Sequence, residues 1–170
     1  MNTDANAEKP TLVRIAERLR DHGVEFMVIG GQAAVLLGSP IATLDIDLCY
    51  RRTKENLRRL ARALHDLHPT LRGAPPDLPF RLDAESLALG SNFTFDTDEG
   101  PLDLLGLVEP FGDYEALLPG SELLEAGGIE LRVIGLEDLI KVKRHLRRPK
   151  DQATLVQLEA LKRLRQKGQS

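Results

Sequence analysis

Two aspartates, Asp45 and Asp47, interrupt the otherwise apolar run Leu44-Asp45-Ile46-Asp47-Leu48. Asp is depleted from strands, so a pair of them in a strand-like run asks for a reason other than packing. Side chains alternate faces along an extended strand, which puts both carboxylates on one face and Leu44, Ile46 and Leu48 on the other. Two such anions repel unless a cation lies between them, and carboxylate oxygens are ligands that Mg²⁺ prefers. The chemistry implied is divalent-metal binding. Taken alone, Asp-Ile-Asp also fits a solvated edge strand, because so short a pattern recurs by chance.

The surrounding elements favour the metal. Glu25-Phe26-Met27-Val28-Ile29 reads as a strand ending at Gly30-Gly31, and residues 32–37 read as a short helix. Glycines at such an elbow let the backbone approach a phosphate, and the N–H groups at the helix start favour negative charge. Thirteen residues then separate Gly31 from Asp45. A third acid, Asp103, lies in Pro101-Leu102-Asp103-Leu104-Leu105, which pairs naturally with Asn92-Phe93-Thr94-Phe95-Asp96 across Asp98-Glu99-Gly100 as a β-hairpin. Three carboxylates are thus expected to converge from two strands beside a phosphate-binding turn.

Gly30-Gly31, the interval, Gly38, Thr43, Asp45-Ile46-Asp47 and Asp103 together resemble the signature of the DNA polymerase beta-like nucleotidyltransferase superfamily. Within it the chain is most similar to the nucleotidyltransferase-like toxins of abortive-infection and toxin–antitoxin systems. Leu139-Ile140-Lys141-Val142-Lys143, followed by Arg147-Arg148-Pro149-Lys150-Asp151, is similar to the Lys, Arg and Lys-Asp segment near the end of those proteins. Ile41 and Thr154 depart from the pattern, since many relatives carry Arg and a second acid there.

The resemblance implies a nucleotidyltransferase fold in which Asp45, Asp47 and Asp103 are catalytic and hold one or two Mg²⁺ ions. Gly30, Gly31, Thr43, Lys143, Arg147, Arg148 and Lys150 would bind the nucleoside triphosphate. The reaction would pass a nucleoside monophosphate to a hydroxyl, one ion steadying the departing pyrophosphate, the other lowering the acceptor's pKa, and Asp103 serving as general base. The toxin likeness extends to a tRNA 3′ end as acceptor and a cognate antitoxin as protein partner. Modification of a small hydroxylated molecule such as an aminoglycoside is an alternative, as is a nucleotide-binding module without turnover. For Lys143 two readings stand: its ammonium reaches the triphosphate, or its stem covers core surface with the charge in water. For Asp151 a salt bridge to a basic neighbour competes with a catalytic role.

Composition bounds the rest. With 170 residues and 42% apolar content, the chain is sized for one domain with a substantial core. Flexible tails are expected at about residues 1–8 and 166–170, which carry no apolar period. Cys49 is the sole cysteine, so packing is its expected role and a reducing cytoplasm fits. No run approaches the roughly 18 apolar residues of a membrane span, and no basic segment precedes an apolar core at the N-terminus, so a soluble cytoplasmic protein is expected. Net charge is -3, yet residues 141–170 carry ten Lys or Arg against two acids, and residues 76–140 carry fifteen acids against two Arg. The basic end suits nucleotide phosphates or RNA, or is the solvated face of two helices. Aromatic residues are 4% with no Trp, leaving few candidates for stacking a base.

The periodicities predict helices from Pro10 to His22, from about Thr53 through the stripe Leu57, Leu60, Ala61 and Leu64, and over residues 83–89 and 113–117. Prolines between residues 69 and 79 predict a loop. A second hairpin is expected over residues 123–133 around Gly127-Gly128, and two helices over residues 136–146 and 149–164. The order of elements predicts an α/β (α+β) fold, a mixed β-sheet with helices packed on it and a helical C-terminal segment at about residues 136–165.

Overall fold

The computed structural model describes residues 8–169, so most of the expected N-terminal tail and the last residue lie outside the described part. Helix α1 (Thr11–Asp21) buries Leu12, Val13, Ile15, Ala16 and Leu19, the stripe its sequence spacing dictates. Strand β1 (Phe26–Ile29) follows and runs straight into α2 (Gly30–Leu37). Strand β2 (Ile46–Tyr50) leads to α3 (Lys54–His65), whose first turn is capped by the Thr53 side chain accepting from the Asn56 N–H.

Beyond them come β3 (Thr70–Leu71), α4 (Ala84–Leu89), the hairpin β4 (Asn92–Thr97) and β5 (Gly100–Leu105), and the short helix α5 (Tyr114–Leu117). The Asp83 and Asp113 carboxylates cap α4 and α5, as their positions ahead of each helix foretell. The chain closes with the hairpin β6 (Glu122–Ala126) and β7 (Ile129–Val133), then α6 (Leu136–Leu146) and α7 (Pro149–Gly168).

The seven strands form one mixed sheet in the order β3-β4-β5-β2-β1-β7-β6. Strand β2 pairs antiparallel with β1 and parallel with β5, while β1 pairs parallel with β7. One face of the β2–β5–β4 region carries Ile46, Leu48, Leu102, Leu104 and Phe95, all nearly inaccessible. Period-2 alternation then puts Asp47, Asp103, Thr94 and Asp96 on the other face, where the exposed Thr94 and Asp96 leave the sheet open at its β4 side. Helices α2, α6 and α7 pack on one another, as do α1 and α3.

Three expectations need correction. The strand bearing the aspartates begins at Ile46, so Asp45 precedes it in the connecting loop, and Leu44 is 91% exposed instead of facing the core. β3 was expected to be loop; two residues are enough for it to pair with β4, and so short an edge has no readable period. Helix α7 continues through Gly168, past the expected end at residue 164 and into the expected tail. Its leucines recur every three residues, which falls short of a helical turn by about 60° per step. The stripe accordingly rotates away from the core: Leu158 is fully buried and Leu164 is 64% exposed.

Candidate active site

Asp47 sits at the centre of the sheet with its register neighbours Ile29 on β1 and Asp103 on β5. Pairing in register puts the two side chains on the same face, so the second and third acids of the sequence pattern stand side by side although 56 positions apart. Burial and the adjacent Asp103 charge push the Asp47 carboxyl up to about 6; Lys143 opposes this, while Asp45 and a hydrogen bond shared with Asp103 add to it. A desolvated carboxylate beside a second one calls for a cation or a proton.

Gly30 makes the seat for Asp47. Its φ of +66° lies in the left-handed region, and a Cβ added there would collide with the Asp47 carboxylate. A Cβ on Gly31 would come within 2.8 Å of the Thr43 methyl. The glycine pair thus serves close packing of its own loop and strand as well as turning the chain. Gly30→Ala is expected to cost about 1–2 kcal/mol through backbone strain. By displacing Asp47 it is also expected to slow any reaction at this site by about 100-fold; urea unfolding and turnover of the same preparation check both.

The loop after α2 is held over this elbow. The Gln32 amide donates to the Thr43 carbonyl at 3.0 Å, and the Thr43 hydroxyl accepts from the Asp45 N–H at 3.2 Å. Thr43 therefore sets the position of Asp45, which stands exposed at the lip. Gly31, Thr43, Asp45 and Asp47 line a cleft of about 270 Å³ together with Lys143, Arg148 and Lys150, with Thr154 and the departing residue Ile41 also at the lining; Gly30 and Asp103 are not among its lining residues.

Lys143 and Arg148 are organised by Asp151, which is wholly buried. Its carboxylate accepts from Lys143 Nζ at 3.0 Å and from Arg148 Nε at 2.6 Å. Burial pushes the Asp151 carboxyl up, but hydrogen bonds and charge from Arg148 and Lys143 outweigh it and hold the group below the ordinary value. Lys143 is itself 7% exposed, so its ammonium is neither in bulk water nor unpaired; it lies between Asp151 and the cleft. Arg147 takes a left-handed backbone (φ 56°) to end α6 and does not line the cleft. Nothing in its spacing distinguishes it from Arg148; the chain reversal between the helices does.

Asp103 has a neighbour that the sequence did not bring to notice. Arg72, just after the unforeseen β3, places Nη2 3.0 Å from Asp103 Oδ1. That contact is an ion pair without an aligned hydrogen bond, because the directed bonds of Arg72 go to the Phe95 carbonyl at 2.7 Å and to Asp96 at 3.1 Å. Asp103 Oδ1 is consequently shut off from solvent with no hydrogen-bond donor aimed at it.

Among the described residues, no three His, Cys, Asp or Glu side chains already stand close enough together to cage an ion. Asp47 and Asp103 are neighbours in register, whereas Asp45 lies out on the loop. Mg²⁺ does not require such a cage, since it keeps waters and shares substrate phosphates with one or two carboxylates. An oxygen-only donor set with a raised Asp47 and an orphaned Asp103 oxygen suits it. Cys49 behaves as the packing residue expected: it is inaccessible, and burial pushes its thiol up to about 12.

No family model and no curated protein matches the chain. Solved structures do. A candidate nucleotidyltransferase from Thermotoga maritima is 20% identical, with 85% of this chain and 87% of that one covered and a TM-score of 0.56. The lincosamide antibiotic adenylyltransferase LnuA, bound to lincomycin, is 14% identical over 89% of this chain and 96% of its own, with a TM-score of 0.61. The antibiotic-resistance factor ANT(2'')-Ia is 15% identical over 98% and 94%, with a TM-score of 0.56. Helices of the described residues include none long and apolar enough to cross a membrane. At these identities the likeness is one of architecture, and the mixed seven-stranded sheet with its packed helices is the nucleotidyltransferase fold.

Proposed function

We propose that the chain is a metal-dependent nucleotidyltransferase that passes a nucleoside monophosphate from a nucleoside triphosphate to a hydroxyl acceptor. The observation that carries this reading is the cleft lined by Asp45 and Asp47 together with Lys143, Arg148 and Lys150 beside Gly31, with Asp103 in register beside Asp47. Carboxylates and cations lining one cleft suit a bound Mg²⁺ and a polyphosphate together.

Asp45, Asp47 and Asp103 are the residues that would hold Mg²⁺, which when bound supplies charge to the triphosphate and acidifies a coordinated hydroxyl. Lys143, Arg148 and Lys150 neutralise the phosphates, and Asp151 fixes the first two in place. The acceptor oxygen attacks the α-phosphorus, the bond to the bridging oxygen breaks, and pyrophosphate leaves. Asp103, on the open side of the sheet, takes the acceptor's proton.

Two acceptor classes follow from different observations. The basic C-terminal segment and the toxin-like motif spacing support a tRNA 3′ end, and with it a cognate antitoxin as partner in the cytoplasm. Fold likeness to an adenylyltransferase of a lincosamide and to an antibiotic-resistance factor supports a small hydroxylated molecule, for instance an aminoglycoside. Incubation with α-labelled triphosphates and Mg²⁺, with total tRNA in one arm and aminoglycosides and lincosamides in the other, separates them. Label is expected on one acceptor with release of pyrophosphate, and is expected to vanish in Asp45→Ala and Asp47→Ala. Label that persists in both variants overturns the assigned site, and triphosphate binding without pyrophosphate release in every arm would leave a nucleotide-binding module.

A further inference from the structure

Arg72 bridges two carboxylates of the open sheet face and is bound unequally to them. To Asp96 it gives a directed Nε hydrogen bond at 3.1 Å, and to the Phe95 carbonyl a directed bond at 2.7 Å. Asp103 Oδ1 lies 3.0 Å from the same guanidinium, held mainly by charge with the N–H poorly aimed at it. The residue is thus anchored to β4 by contacts that do not involve the reacting centre, and its hold on Asp103 is the contact most easily given up. The strand register accounts for the arrangement: Thr70 pairs with Asp96, and Thr94 with Asp103, so the residue following β3 reaches along the face toward both acids.

We propose that Arg72 is an internal counter-ion of the site, holding Asp103 in the cation-free protein and competing with a divalent cation for it. Asp96 acts through Arg72 by holding its guanidinium back. The exchange needs little rearrangement, because Asp103 already stands beside Asp47 and the anchoring bonds of Arg72 remain. Arg72 then stays beside Asp103 as a positioning residue on the acceptor side. This inference rests on the reading of Asp47 and Asp103 as a cation site.

Mn²⁺ binding to the full chain, measured by calorimetry without nucleotide, tests it. Arg72→Gln is expected to tighten Mn²⁺ binding by about fivefold, the scale of one partly exposed ion pair. Asp96→Asn is expected to weaken binding in the parent and to have no effect in the Arg72→Gln background, since its influence passes through the guanidinium. Circular dichroism and the urea midpoint of each variant establish that it is folded, and Arg72→Lys, which keeps the charge without the fork, is expected to fall between parent and Arg72→Gln. Binding to Arg72→Gln no tighter than to the parent overturns the inference, as does an Asp96→Asn effect that persists undiminished in that background, which would reflect only long-range charge. If Asp47→Asn leaves Mn²⁺ affinity unchanged, the cation site itself fails, a result distinct from either.

Discussion

Asp151→Ala is expected to destabilise the fold by about 3–5 kcal/mol, the cost of leaving a buried charge without its partner. Lys143 is 7% exposed and Asp151 is wholly buried, so removing the carboxylate strands an ammonium that water cannot reach well. Arg148, half exposed, can turn to solvent, and it contributes less to the loss. The double variant Lys143→Met with Asp151→Ala is expected to recover most of the stability, because an apolar side chain of similar length leaves no charge to compensate. It is not expected to recover the proposed triphosphate binding, since Lys143 is lost and Arg148 has lost its partner. Urea unfolding of parent, single and double variants gives the answer; a single variant within about 0.5 kcal/mol of the parent would place the pair on the solvated surface instead. The pH dependence has a definite sign. The Asp151 carboxyl is held below its ordinary value in the fold, so its contribution is complete above the unfolded value and is lost as pH falls through the lowered one.

Asp47→Asn is expected to lower the proposed nucleotidyl transfer by about 1,000-fold, as loss of one charged group aimed at the reacting centre does, while making the cation-free protein more stable at neutral pH. The two effects have one origin. Burial and the Asp103 charge raise the Asp47 carboxyl from 3.8 to about 6 in the fold. A raised carboxyl favours the folded state below the unfolded value and loses that advantage as pH climbs through the folded one. The free-energy gap between Asn variant and parent is therefore expected to move in favour of the variant by at most about 3 kcal/mol between pH 4 and pH 7.5. Saturating Mg²⁺ is expected to stabilise the parent at pH 7.5 and to do little for the variant, because a ligand raises stability only by binding the folded state. Urea midpoints at the two pH values, with and without Mg²⁺, measure all four terms. Parallel pH profiles for the two proteins would mean that Asp47 is solvated and carries no electrostatic strain.

Much of the site was legible from local chemistry. Gly30-Gly31 was expected to be a turn that lets the backbone approach a phosphate, and the structure shows in addition what packs against it, Asp47 and Thr43. The hairpin bearing Asp103 follows from two apolar runs around a short polar link, and the caps at Asp83 and Asp113 follow from residue type ahead of a helical period. Local rules also misled at the edges. They extended the aspartate strand back over Leu44 and Asp45, where the loop from α2 in fact arrives, held by the Thr43 hydroxyl. They treated Arg147 and Arg148 alike, although only Arg148 meets Asp151.

What the order of residues determined by itself was the longer helices and strands and the identity of the acids, because turns, caps and apolar periods act within a few positions of the chain. What only the tertiary structure decided was the company each charged group keeps. The parallel pairing of β2 with β5 made neighbours of Asp47 and Asp103, the packing of α6 against α7 buried Lys143 on Asp151, and a two-residue strand delivered Arg72 to Asp103. Electrostatic energy depends on separation and burial, and neither of these is written in sequence distance.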